Sequence, residues 1–104
     1  MKMKFTIDAD FLNRLRTREK KALQQFVDEH SGALYLVLIF LLDDAVHAEM
    51  ILPKIFQTAI NNIEAYSPEK ESFIIWLFRN AIPFLDLDRD TIIEKINLLI
   101  KANQ

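Results

Sequence analysis

The chain has 104 residues, of which 51% are hydrophobic and none is cysteine, and its net charge is −2. This length and apolar content suit one domain with one buried core and argue against a disordered chain, while one Gly and three Pro are too few turn residues for a strand-rich fold. The missing cysteine excludes a disulfide scaffold, a thiol nucleophile and a thiolate metal site.

The first predicted helix runs from about Asp8 to Arg16, with Asp8 as N-cap and Phe11, Leu12 and Leu15 on one face. The second begins near Thr17 and reaches about Leu42, with Ala22, Leu23, Phe26, Leu34, Leu38 and Leu41 turned inward. Ser31-Gly32 is a place for a kink or short break. Its apolar stretch from Ala33 to Leu42 is ten residues, half of the roughly 20 that a bilayer needs, and reads as a helix buried on most sides. Asp43-Asp44 supplies a stop and a new cap. The third helix spans Ala45 to about Ala65, with Met50, Ile51, Ile55, Phe56, Ala59, Ile60 and Ile63 recurring at helical spacing and Pro53 predicted to kink it. After Ser67-Pro68, Ser72 caps a fourth helix from Phe73 to about Ile82, which Pro83 ends. Asp88 or Asp90 caps a last helix to about Ala102, with Ile92, Ile93, Ile96, Leu99 and Ile100 on its apolar side. The expectation is an all-α, compact bundle of about five helices forming one domain, residues 1–104.

Charge is uneven along the chain. Residues 1–30 hold seven Lys/Arg and five Asp/Glu, and residues 31–104 hold six and ten. A domain that grips a phosphate backbone is basic over its contact surface, and most of this chain is not. Arg14, Arg16, Arg18, Lys20 and Lys21 place five cations within eight residues, but i and i+2 point to different helix faces. A solvated helix junction fits them better than a phosphate patch. Asp43, Asp44, His47 and Glu49 form the one cluster with ligand chemistry, and Asp43 and His47 are spaced i, i+4. No second histidine lies near, and Asp44 is needed as a cap, so no metal is expected. Trp76, between Ile75 and Leu77, reads as core before it reads as a base-stacking platform. Arg79 reads equally as a nucleic-acid contact and as a solvated arginine paired with Glu71 or Asp86. No Gly-rich phosphate loop and no nucleophile–base arrangement is present, so neither an enzyme nor a cofactor is expected. Met1 to Phe5 leads into Asp8 and Asp10 rather than an apolar stretch, which is not the pattern of a signal peptide. A cytoplasmic protein with no membrane partner follows as the expectation.

Three stretches carry a family pattern. Ala22, Phe26, His30, Ser31, Leu34 and Tyr35 follow A-x-x-x-L/F-x-x-x-Y/H-S-x-x-L-Y. Ala48-Glu49 and Phe56 match parts of D-A-E-D-L-V-Q-E-x-F. Ser67 to Ala81, S-P-E-K-E-S-F-I-I-W-L-F-R-N-A, follows D-P-x-x-x-S-F-R-x-W-L-Y-R-I-A. In these the chain resembles domain 2 of bacterial RNA polymerase sigma factors, of the extracytoplasmic-function type. The resemblance implies a helical bundle with two working faces, one docking on the clamp of the polymerase β′ subunit and one capturing unpaired bases of the promoter minus-ten element. It places Glu49 and Phe56 at the polymerase face, Arg79 and Trp76 at the promoter DNA face, and His30 at an aromatic core or boundary position.

The departures fall on those faces. Met50, Pro53 and Lys54 stand where the family has Asp, Gln and Glu. Pro83 and the run Phe84 to Asp90 replace an Asn and a basic cluster, bringing in three aspartates that would repel phosphate. No helix-turn-helix domain follows in this sequence, so either the chain is truncated or a separate polypeptide supplies it. The resemblance thus implies a transcription-initiation module. The altered exterior points instead to a sigma-like scaffold that binds a regulatory protein or a second copy of itself, with Ile92, Ile96, Leu99 and Ile100 as a dimer stripe if exposed.

Overall fold

In the computed structural model, which describes residues 8–102, the Asp8 carboxylate accepts the Phe11 N–H at 2.7 Å and starts α1 (Ala9–Arg16). The reading of Met1 to Phe5 falls outside the described residues. Helix α1 closes on Arg18, a non-glycine residue at φ 62°, with the Glu19 N–H returning to the Arg14 carbonyl. This turn moves the start of α2 (Lys20–Leu42) three residues beyond the predicted Thr17. Ser31-Gly32 causes no break, because the i→i−4 ladder of α2 runs through both residues.

Asp43, left-handed at φ 52°, ends α2, and Asp44 then caps α3 (Ala45–Asn61) by accepting the His47 N–H at 3.1 Å. The two helices form an antiparallel hairpin, with the Tyr35 hydroxyl reaching Glu49 and Phe26 meeting Phe56. Helix α3 continues through Pro53, which is exposed, so the Glu49 carbonyl that loses a donor lies on the wet side. It ends four residues short of the predicted Ala65, where Ile63–Ala65 tightens into a 3-10 turn. Ser72 caps α4 (Phe73–Ala81), and the chain passes Pro83 as a further 3-10 turn, Ile82–Phe84. Ile82 is right-handed helical despite preceding proline, so Pro83 tightens this helix rather than stopping it. Asp88 accepts the Thr91 N–H at 2.7 Å and starts α5 (Arg89–Ala102).

These five α-helices, with no strand among the described residues, pack on one apolar interior. At its centre Phe26 meets Phe56 and Phe73 edge-on, both at 5.3 Å, and Phe73 meets Trp76 at 5.5 Å. Tyr66 closes the cluster against Phe73 and Trp76, and donates its hydroxyl to the Glu71 carbonyl. Burial, then the nearby Glu71, pushes the Tyr66 phenol above its ordinary pKa. His30 sits half-buried at the edge of this cluster, its Nδ1 2.9 Å from the Phe26 carbonyl and its ring against Phe26 and Phe73. Phe26, Phe56, Phe73 and Trp76 thus occupy one interior, as the sequence predicts.

Two predicted burials are corrected. Met50 is 60% exposed, since the Asp44 cap sets a phase in which Ala48, Ile51, Ile55 and Ala59 face inward. The stretch Ala33 to Leu42 is buried on one side, through Leu34, Leu38 and Leu41, and not on most sides. The ten-residue limit also understated α2, which at 23 residues is long and apolar enough to cross a membrane by length and composition alone. Core helices of soluble proteins share that property, and the inner face of α2 is taken up by the bundle.

Candidate functional site

The outer side of the α2–α3 hairpin gathers the features that the core leaves unused. On α2, Leu36 and Phe40 lie one turn apart and are 69% and 40% exposed. On α3, Val46 is 67% exposed and stands one turn before the exposed Met50. Helical geometry dictates this: Leu36 and Phe40 fall opposite Leu34, Leu38 and Leu41, so a helix packed on one side must turn them outward. Between the helices the Tyr35 hydroxyl donates to Glu49 Oε1 at 3.3 Å. Desolvation, followed by the Glu49 charge, raises the Tyr35 pKa, so Tyr35 stays a donor at neutral pH. Ser31, Gly32, Tyr35, Glu49 and Leu52 line a shallow groove of about 300 Å³. Gly32 opens this groove further, since no heavy atom lies within 4 Å of where a Cβ would stand.

The central span of this hairpin is acidic, with Lys20, Lys21 and Lys54 at its margins. Residues 22–53 contain Asp28, Glu29, Asp43, Asp44 and Glu49 and no Lys or Arg. Asp43 belongs to the turn and Asp44 caps α3, so Asp43 and His47 do not share the helical face that a metal reading required. No metal-ligand cluster occurs among the described residues.

Of the four residues that the resemblance places on two faces, Glu49 and Arg79 are exposed and Phe56 and Trp76 are buried. Glu49 is exposed and belongs to the hairpin site. Phe56 and Trp76 are core side chains, 6% and 5% exposed, and present no open ring face to a partner. Arg79 is exposed, but its guanidinium donates to Glu71 Oε1 at 2.6 Å. The exposed Ile75 and Ile82 flank it at helical spacing, and the acidic segment Asp86–Asp90 follows. The three arginines of the N-terminal basic cluster are also engaged, while Lys20 and Lys21 are exposed. Arg14 forms a bidentate pair with Glu19, Arg16 donates to the Tyr66 carbonyl at 2.8 Å, and Arg18 bonds back to the Leu15 and Arg16 carbonyls. The basic cluster of the sequence is therefore a helix junction.

The sequence reading missed Leu36, Phe40, Val46 and Met50 as a surface. For Leu36 and Phe40 the signal was present in the run from Ala33 to Leu42, where apolar residues fall on all sides of a helix; for Val46 and Met50 it was their phase relative to Ala48 and Ile51. Comparisons with protein-family models, curated proteins and solved structures returned no match.

Proposed function

We propose that this domain works by binding another protein, through the outer face of the α2–α3 hairpin, and not by catalysis. The observation that carries this reading is exposed apolar surface in an acidic stretch: Leu36, Phe40, Val46 and Met50 lie within residues 22–53, which hold five carboxylates and no Lys or Arg, with Lys54 at the edge of that stretch. Apolar side chains supply the area removed from water on docking, and the surrounding acids select a basic partner and steer its approach. An amphipathic helix with apolar anchors and flanking Lys or Arg has this chemistry. An anionic membrane surface does not, because the five carboxylates would be repelled by it.

A second reading keeps the same face and names its partner. The aromatic interior of Phe26, Phe56, Phe73 and Trp76 is what a sigma-like scaffold requires, and in that family the clamp of the β′ subunit is the docking partner. Glu49 then contacts polymerase, with Phe56 two turns on anchoring the helix to Phe26. Promoter contact is the weaker half of this reading, since Arg79 is held by Glu71 and Trp76 is buried.

Fluorescence anisotropy with a labelled basic amphipathic helical peptide, and column retention with core polymerase, separate the two. Peptide binding lost in Leu36→Lys and Met50→Lys supports the first. Retention on polymerase lost in Glu49→Lys supports the second. No binding to either at about 100 μM, a threshold near −5.5 kcal/mol, removes both.

A further inference from the structure

Helix α5 commits only part of its apolar side to the bundle. Ile92 is buried, Ile96 packs on the core, and Lys95 Nζ donates to the Leu41 carbonyl at 2.7 Å, which ties this flank to the end of α2. Ile93 and Ile100, seven residues apart on an adjoining stripe, remain 45% and 54% exposed. Beside them runs a charged stripe in which Asp90, Glu94 and Lys101 are spaced four and seven residues apart. The acids occupy the N-terminal half and the lysine occupies the last turn.

We propose that this face of α5 binds the same face of a second copy of the chain, antiparallel, about a two-fold axis between Ile96 and Asn97. With Ile93 of one copy over Ile100 of the other, the second copy's Lys101 falls at a level between Asp90 and Glu94 of the first. The two-fold axis repeats the contact, so each lysine meets two carboxylates. Parallel pairing would set acids against acids and lysine against lysine, so the charge order selects the antiparallel form. The antiparallel form also sets the two helix dipoles in opposite directions, the favourable order for helices side by side. The face is little more than two turns long, well short of the about 800 Å² per partner of a standard interface, and the dimer is accordingly weak and rapidly exchanging. This inference does not depend on the hairpin reading.

The test is sedimentation velocity of the full chain from about 10 μM to about 1 mM, the range in which an interface of this size assembles. The mass rises toward the dimer in the upper decade. Ile93→Glu and Ile100→Glu, both at exposed positions, keep the helical circular dichroism and weaken the dimer about tenfold or more. Lys101→Glu weakens it roughly fivefold, and adding Asp90→Lys with Glu94→Lys restores it, because the charge order is reversed and not lost. Orientation is read by cross-linking, since the chain has no native cysteine. Asn97→Cys lies at the axis and forms a disulfide dimer under mild oxidation. Arg89→Cys lies about 20 Å from its mate and does not. A monomer at every concentration, a dimer indifferent to Ile100→Glu, or Arg89→Cys cross-linking as readily as Asn97→Cys would each overturn the proposal.

Discussion

Three helices converge on Phe26, and its removal is the most informative change to the core. The side chain has no exposed surface, and its ring meets His30, Phe56 and Phe73 edge-on, each at 5.3 Å. Phe→Ala at a packed site costs about 3–5 kcal/mol in transfer and cavity terms. Phe56 lies on α3 and Phe73 on α4, and each edge-to-face pair adds about 0.5–1.5 kcal/mol beyond area. Phe26→Ala should therefore fall at the upper end, about 4–5 kcal/mol, within a total stability of about 5–15 kcal/mol for a domain of this size. Phe26→Leu keeps most of the volume and loses the ring geometry, and should cost about 1–2 kcal/mol. Urea titration followed by Trp76 emission and by far-ultraviolet circular dichroism measures both, since Trp76 is buried against Tyr66 and Phe73 and reports the core directly. A cost below about 2 kcal/mol for alanine, or a leucine variant as unstable as the alanine variant, would refute the claim that this ring joins the three helices.

Gly32→Ala should stabilise the chain by about 0.4–1 kcal/mol, because Gly32 lies in mid-helix with open space where the methyl would stand; thermal unfolding should shift up by several degrees. Arg18→Gly should also stabilise, by up to about 1 kcal/mol, since the α1 terminus needs φ 62° there and only glycine meets it without strain; urea midpoints give the comparison. Hydrogen bonds from the Thr91 backbone and then its hydroxyl hold the Asp88 carboxyl below the usual carboxylate range. The folded state thus binds that proton less readily than the unfolded state. The capping contribution is complete above the unfolded pKa of about 3.9 and is lost as pH falls through the lower folded value. Amide shifts at the start of α5 should report fraying in that acid range, and Asp88→Asn, which keeps the acceptor, should remove the dependence. Arg79→Ala should change stability by no more than about 1 kcal/mol, as the Arg79 side chain is 64% exposed although Glu71 is partly buried; any loss of binding in that variant then reflects contact and not folding.

The helices were legible where apolar periodicity and side-chain caps coincide. Asp8, Asp44 and Ser72 each cap the helix they announce, and Phe26, Phe56, Phe73 and Trp76 meet in one interior. The turns were less legible, because this chain uses Arg18, Asp43 and Asp86 at positive φ where glycine is the usual marker. The start of α2 was misplaced for that reason. Ser31-Gly32 looked like punctuation, yet a glycine inside a long helix costs only about 1 kcal/mol against alanine, which the buried face of α2 outweighs. The candidate site was the least legible part. Apolar residues that pack inward and those left outside have the same chemistry, and only the helix phase distinguishes Met50 from Ile51 or Leu36 from Leu38. The pairing of Arg79 with Glu71 was one of two partners the sequence offered, and the structure selects it over Asp86.

The hairpin reading is tested most directly by isotope-edited NMR of the full chain titrated with a basic amphipathic helical peptide. Saturable shifts are expected at Tyr35, Leu36, Phe40, Val46, Glu49 and Met50, and they should disappear when the lysines of the peptide are replaced by glutamates. Shifts confined to α5 or to the surroundings of Arg79, or no shifts at about 1 mM peptide, where binding of only −4.1 kcal/mol would show, would contradict it.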